Sequence, residues 1–104
     1  MPPLQSITTS ETITSPSNPR VRTTSKLRDA TTRRQTGLTL IDGQREIHRC
    51  LAAEKELIEI FFDADSFSSL SDTEQTNLTS IVTQASAQGA AVTPLSSRPF
   101  SKIA

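Results

Sequence analysis

Cysteine, glycine and aromatic residues are scarce in this chain: one cysteine, three glycines, four phenylalanines, and neither tyrosine nor tryptophan. The lone Cys50 cannot staple a domain, which fits a reducing compartment rather than a disulfide-built secreted fold. Gly37, Gly43 and Gly89 stand far apart, so no glycine-rich loop cradles a phosphate or a dinucleotide. A single histidine beside a single cysteine excludes a zinc site of ordinary ligand number. His48 lies next to Arg49 and reads as a solvated helix residue, while Cys50 reads as core. No window approaches eighteen consecutive apolar residues, which excludes a transmembrane helix, and no membrane partner is expected. A secretory signal is excluded too, because no apolar run of about seven residues occurs near the start. The hydroxyl-rich, acid-poor beginning superficially resembles an organelle transit peptide, but cytoplasmic residence is the default expectation. Asp63 and Asp65 form a carboxylate pair with nothing nearby to raise either pKa, so they read as loop solubility. The chain therefore holds no complete active site; it is expected to be no enzyme by itself and to bind no cofactor.

What is present is uneven. The first 17 residues hold eight Ser/Thr and three prolines, and few apolar groups to offset ordering entropy. Residues 1–12 are expected to be a disordered tail, and 13–104 a single domain with one modest core. Net charge is zero, yet residues 1–53 carry eight bases against four acids, and residues 54–104 three against seven. Six bases and one acid fall within residues 20–34. Such polarity can offer a cationic face to phosphates while the whole stays neutral.

Periodicity orders the elements. Asn18-Pro19 opens a helix to about Ala30, with Val21, Thr24 and Leu27 inward and Arg22, Lys26 and Asp29 outward. Thr31 to Thr36 breaks the pattern, and Leu38–Ile41 then predicts a short strand ended by Asp42-Gly43. A helix over about Gln44–Ala53 places Ile47, Cys50 and Leu51 on one stripe, with Arg45, His48 and Arg49 on another. Leu57–Phe62 is the clearest strand and predicts a central position. A loop over Asp63–Leu70 leads to a helix that Ser71 and Glu74 cap reciprocally, with Leu78, Ile81, Val82 and Ala85 inward and Gly89 as the stop. Ala90–Leu95 predicts a third strand, pushed toward an edge by Pro94. Thr12–Ser15 offers a fourth, and Phe100 with Ile103 a short closing helix. The alternation argues for an α/β fold with a mainly parallel sheet and helices on both faces.

The order of short motifs resembles one known module. Ile13-Thr14-Ser15, Asn18-Pro19-Arg20-Val21, Lys26-Leu27, Arg33-Arg34, Gly37 and Leu40-Ile41-Asp42-Gly43, followed by Ile47 and Leu51, run in sequence. This is similar to the N-terminal substrate-binding domain of the SpoU/TrmH family of RNA ribose methyltransferases. That module opens on I-x-S-x-x-N-P, continues through a basic helix to Arg, and reaches a strand closing on Glu-Gly; Asp42 stands here for the Glu. The resemblance implies a three-layer α/β/α sandwich with three to four strands, like the ribosomal proteins that bind kink-turn RNA. It further implies a separate C-terminal catalytic domain that binds S-adenosylmethionine, the chain being a piece of that longer enzyme. The expected partners are structured transfer or ribosomal RNA and that catalytic domain, with the isolated domain monomeric. Arg20, Arg22, Lys26, Arg33, Arg34 and Arg45 are the expected phosphate contacts, and Asn18 of the Asn-Pro motif joins them.

Two other readings use the same residues. Gly43-Gln44-Arg45-Glu46-Ile47-His48-Arg49 copies the spacing of the kink-turn binders' Gly-x-Asn-Glu-x-x-Lys signature, with Arg45 for Asn and Arg49 for Lys. A stand-alone module that docks protein through the acidic half is the other. Few aromatics favour shape recognition of folded RNA over single-strand stacking, with Phe67 and Phe100 as the candidates for a stacking role.

Overall fold

A computed structural model describes residues 4–104. It is a mixed α/β domain around a two-stranded parallel sheet, β1 (Glu59–Asp63) and β2 (Ala91–Leu95), in register from Glu59 opposite Ala91 to Asp63 opposite Leu95. Successive strand side chains point to opposite faces, and two apolar clusters follow from that alternation. Ile60, Phe62 and Val92 face one side, against Leu51 of α3 (Gln44–Ala52) and Ile81, Val82 and Ala85 of α5 (Asp72–Ala87). Phe61 and Leu95 face the other, with Val21 of α1 (Pro19–Ser25) and Ile103 of α6 (Ser97–Ile103).

Local chemistry explains where the helices start and stop. Asn18 Oδ1 accepts the Arg20 N–H at 2.9 Å, and Pro19 occupies the first turn, where a missing N–H costs nothing. Ser71 and Glu74 form the reciprocal capping box at 3.2 and 3.1 Å. At the other end of α5, Gly89 adopts φ 96°, its N–H reaches Ser86 O, and the Ala90 N–H reaches Ala85 O. That pair of bonds is a Schellman stop, which glycine makes without strain.

Four expectations need correction. The first helix does not run to Ala30: it tightens into a 3-10 turn at Lys26–Arg28, and Asp29 turns extended. The polar stretch that follows is itself a helix, α2 (Ala30–Thr36), which buries no residue and so shows no periodicity to read. The apolar run Leu38–Ile41 forms no strand, and none of its side chains packs against either cluster. An apolar run becomes a strand only against a partner edge, and this one meets none among the described residues. The loop after β1 also begins with a helical turn, α4 (Ala64–Phe67).

The stretch before Ile13 was expected to pack nothing, yet Leu4 is buried in the first cluster and Ile7 rests on it. Thr9 N–H donates to Val92 O at 2.8 Å, Val92 N–H donates back to Thr9 Oγ1 at 3.0 Å, and Ile13 N–H donates to Pro94 O at 3.0 Å. Residues 1–3 lie outside the described residues. Instead of a fourth strand, Thr12–Ser15 supplies one isolated parallel bridge, Ile13 to Leu95. β2 is thus an edge strand of the two-stranded sheet, as Pro94 argued, with this lane running along its free side. Pro94 is tolerated there because it falls between the two tail contacts, on the side where a ladder N–H is not required. The sheet thus has two strands where three to four were expected.

Candidate nucleic-acid interface

The expected site residues separate into three groups. Asn18 and Arg20 are committed to the fold: the Asn18 carboxamide caps α1, while Arg20 pairs with Glu59 of β1 and donates to the buried Thr93 Oγ1 at 3.0 Å. Arg33 is committed as well, its guanidinium donating to the carbonyls of Leu27 at 2.9 Å and Arg28 at 2.8 Å, which ties α2 to the preceding turn. Arg28 donates to Ile103 O and secures the end of α6 against the 3-10 turn that follows α1.

Arg22 and Lys26 form the second group. They lie four residues apart on one exposed face, outward from buried Val21, and among the described residues no carboxylate is paired to either. Arg34 joins them, exposed, with one long 3.4 Å contact to Thr31 Oγ1. These three cations are held in place by their helices yet keep their charge for an external anion.

Arg45 stands apart. It opens α3, and α3 packs with α5 on the opposite side of the sheet from α1. The structure therefore does not bring it together with Arg22 and Lys26. Its helix also pairs Arg49 with Glu46 at 3.4 Å, and α5 adds Asp72 and Glu74.

Sequence reasoning missed Arg98 and Lys102, which sat within the acidic half of the chain. Helix α6 folds back onto α1, so residues 19–36 and 97–103 together hold eight bases and one acid on one side of the sheet. Glu59, bonded to Arg20, and Asp63 and Asp65, bonded to Ser97, share that side, yet none of them is paired with Arg98 or Lys102 among the described residues. No local signal in residues 97–103 reveals this; only the packing of α6 does.

The carboxylates near the strand ends are helix caps. Asp63 accepts from Ser66 N–H at 3.2 Å, Ser66 Oγ at 2.8 Å and Ser97 Oγ at 2.9 Å, while Asp65 accepts from Ser97 N–H at 3.0 Å. Burial pushes the Asp63 pKa up, but the hydrogen bonds from Ser66 and Ser97 outweigh it and leave the carboxyl below its ordinary value. A depressed folded pKa means stability that is complete above the unfolded value and lost as pH falls through the folded one. Melting curves of Asp63→Asn are thus expected to vary less with pH than wild type below about pH 4. Identical acid slopes for the two proteins would contradict that role.

Among the described residues no helix is long and apolar enough to cross a membrane. The family profile of the MRM3-like substrate binding domain matches residues 18–104. The chain belongs to that family. No curated relative and no solved structure matches it. Membership makes this a substrate-binding domain related to rRNA methyltransferases, with RNA as the partner it implies. The match begins at Asn18, the cap of α1, and covers both basic helices and α6. Residues 4–17 fall outside it, although they pack onto the MRM3-like domain as a third lane beside β2.

Proposed function

We propose that this MRM3-like domain is the RNA-holding module of a SpoU/TrmH-type ribose methyltransferase. It presents structured transfer or ribosomal RNA to a separate C-terminal catalytic domain in the cytoplasm, and by itself is monomeric. The observation that carries this reading is the segregation of charge, with Arg22, Lys26 and Arg34 unpaired on the side of the sheet that also carries α6. On this reading S-adenosylmethionine is held by that catalytic domain, while Gly37, Gly43 and Gly89 of this chain each serve a helix end. The transfer chemistry therefore belongs to the catalytic partner.

Phosphate contacts position RNA without reading its sequence. Shape recognition agrees with the phenylalanines, since Phe62 is buried and Phe61, Phe67 and Phe100 pack against the two clusters. Electrophoretic titration of the chain against a folded transfer-RNA transcript at rising salt tests the proposal. Neutralising three or four phosphates gives a log–log slope of roughly −2 to −4. A salt-independent affinity would overturn the RNA reading in favour of protein docking.

A further inference from the structure

We infer that the groove between α6 and the loop leading into α1 is a second anchoring point for the RNA backbone, with Arg98 and Lys102 as its phosphate ligands. The inference rests on the RNA-holding function proposed above. The groove is lined by Pro16, Ser97, Arg98, Ser101 and Lys102. Arg98 and Lys102 stand one turn apart on α6, both exposed, and among the described residues neither is paired with a carboxylate. Lys102 Nζ bridges the groove to the Pro16 carbonyl at 3.2 Å, a neutral acceptor that a phosphate oxygen replaces with a charged one.

The other lining groups have their hydrogens spent. Ser97 Oγ donates to Asp63, and Ser101 Oγ donates to Ser97 O at 2.9 Å. Asp63 and Asp65 are bonded to Ser97 and are not among the residues that line the groove. Two cations are thus the hydrogen-bond donors that remain, and no aromatic side chain lines the groove to stack on a base. This chemistry selects a backbone phosphate.

Continuity with the α1 face supports the same ligand. Pro16 lies two residues before the Asn18 cap, α1 packs directly on α6, and Arg28 ties the far ends together through Ile103 O. An RNA seated on Arg22 and Lys26 has the groove beside it on the same side of the sheet. The arginine supplies a planar fork for two phosphate oxygens, and the lysine a mobile point charge.

The test compares Arg98→Ala/Lys102→Ala with Arg22→Ala/Lys26→Ala in the full chain, titrated against a folded transfer-RNA transcript at several salt concentrations. The α6 variant is expected to bind roughly five- to twentyfold more weakly at low salt, with the slope flattened by about 1–2. Circular dichroism and melting should match wild type. Should the alanine pair unfold, Arg98→Gln/Lys102→Gln removes the same charge with longer side chains and carries the same expectation. Full affinity in the α6 variant beside a weakened α1 variant would overturn the groove and leave the RNA function standing. Full affinity in both would overturn both. Weaker binding with an unchanged salt slope would overturn the phosphate role. Polyglutamate held as tightly as RNA would also overturn the inference, in favour of an acidic protein partner.

Discussion

Leu95→Ala is expected to destabilise the domain by about 2–5 kcal/mol, through lost transfer free energy and the cavity left behind. Leu95 has no exposed surface, closes β2, and packs with Ile13, Val21 and Ile103. Four segments from opposite ends of the chain meet at this one side chain: the lane before α1 and α1 itself, then β2 and α6. The backbone gives it no slack, since Ile13 bridges Leu95 and the Ser96 N–H donates to Ile13 O at 2.9 Å. Because a whole domain is stable by only about 5–15 kcal/mol, a loss of this size removes a large part of the total. Urea melts should show a lower midpoint with little change in slope. Leu38→Ala is the matched control: Leu38 is 41% exposed and packs on neither cluster, so its change should stay within about 0.5 kcal/mol. A neutral Leu95→Ala would contradict the second cluster as a structural core.

The parts of the fold that were legible in the sequence are those written locally. Asn18-Pro19 marks the start of α1, and Ser71 with Glu74 marks α5 because both partners of that capping box lie within one turn. Periodicity placed Ile81, Val82 and Ala85 inward, and all three are buried. The parts that were not legible depend on partners far along the chain. Helix α2 buries nothing and is held by the Arg33 guanidinium, so hydropathy had no stripe to display. Thr9 meets Val92 across 83 residues, and no composition argument supplies that partner. Pro94 argued for an edge, and β2 is one, but only the contacts of Thr9 and Ile13 on either side of it show what lies along that edge.

The candidate interface divides in the same way. That residues 20–34 are basic was plain, and Arg22 and Lys26 do share one exposed face. Which cations are free was hidden. Arg20 meets Glu59 at a separation of 39 residues, and Arg33 turns back to carbonyls of its own chain. Arg45 appeared to belong with the others by charge, and the sheet separates it from them. Arg98 and Lys102 appeared to belong with the acidic half, and α6 brings them to α1.

Reversing charge on α1 is expected to have the largest effect on binding. Arg22→Glu/Lys26→Glu removes two cations that the fold does not use and sets two anions in their place, on the face assigned to RNA. Each lost charge-assisted contact costs about 1–2 kcal/mol at an exposed site, and repulsion by the new carboxylates adds to it. At 1.4 kcal/mol per factor of ten, the variant should bind at least roughly tenfold and up to a few hundredfold more weakly. Its helix should survive, because Val21 and the Asn18 cap are untouched. The comparison that decides the matter is Arg45→Glu/Arg49→Glu, an identical change in charge on α3 across the sheet. Net charge falls equally in both proteins, so a merely non-specific attraction between chain and polyanion weakens equally in both. The central claim is that RNA is held on the side of α1 and α6. The measurement is therefore the ratio of the two variants' dissociation constants for one folded transfer-RNA transcript, at one salt concentration. A ratio of ten or more, with the α1 variant the weaker binder, is the predicted result; equal losses, or a greater loss from α3, would contradict it.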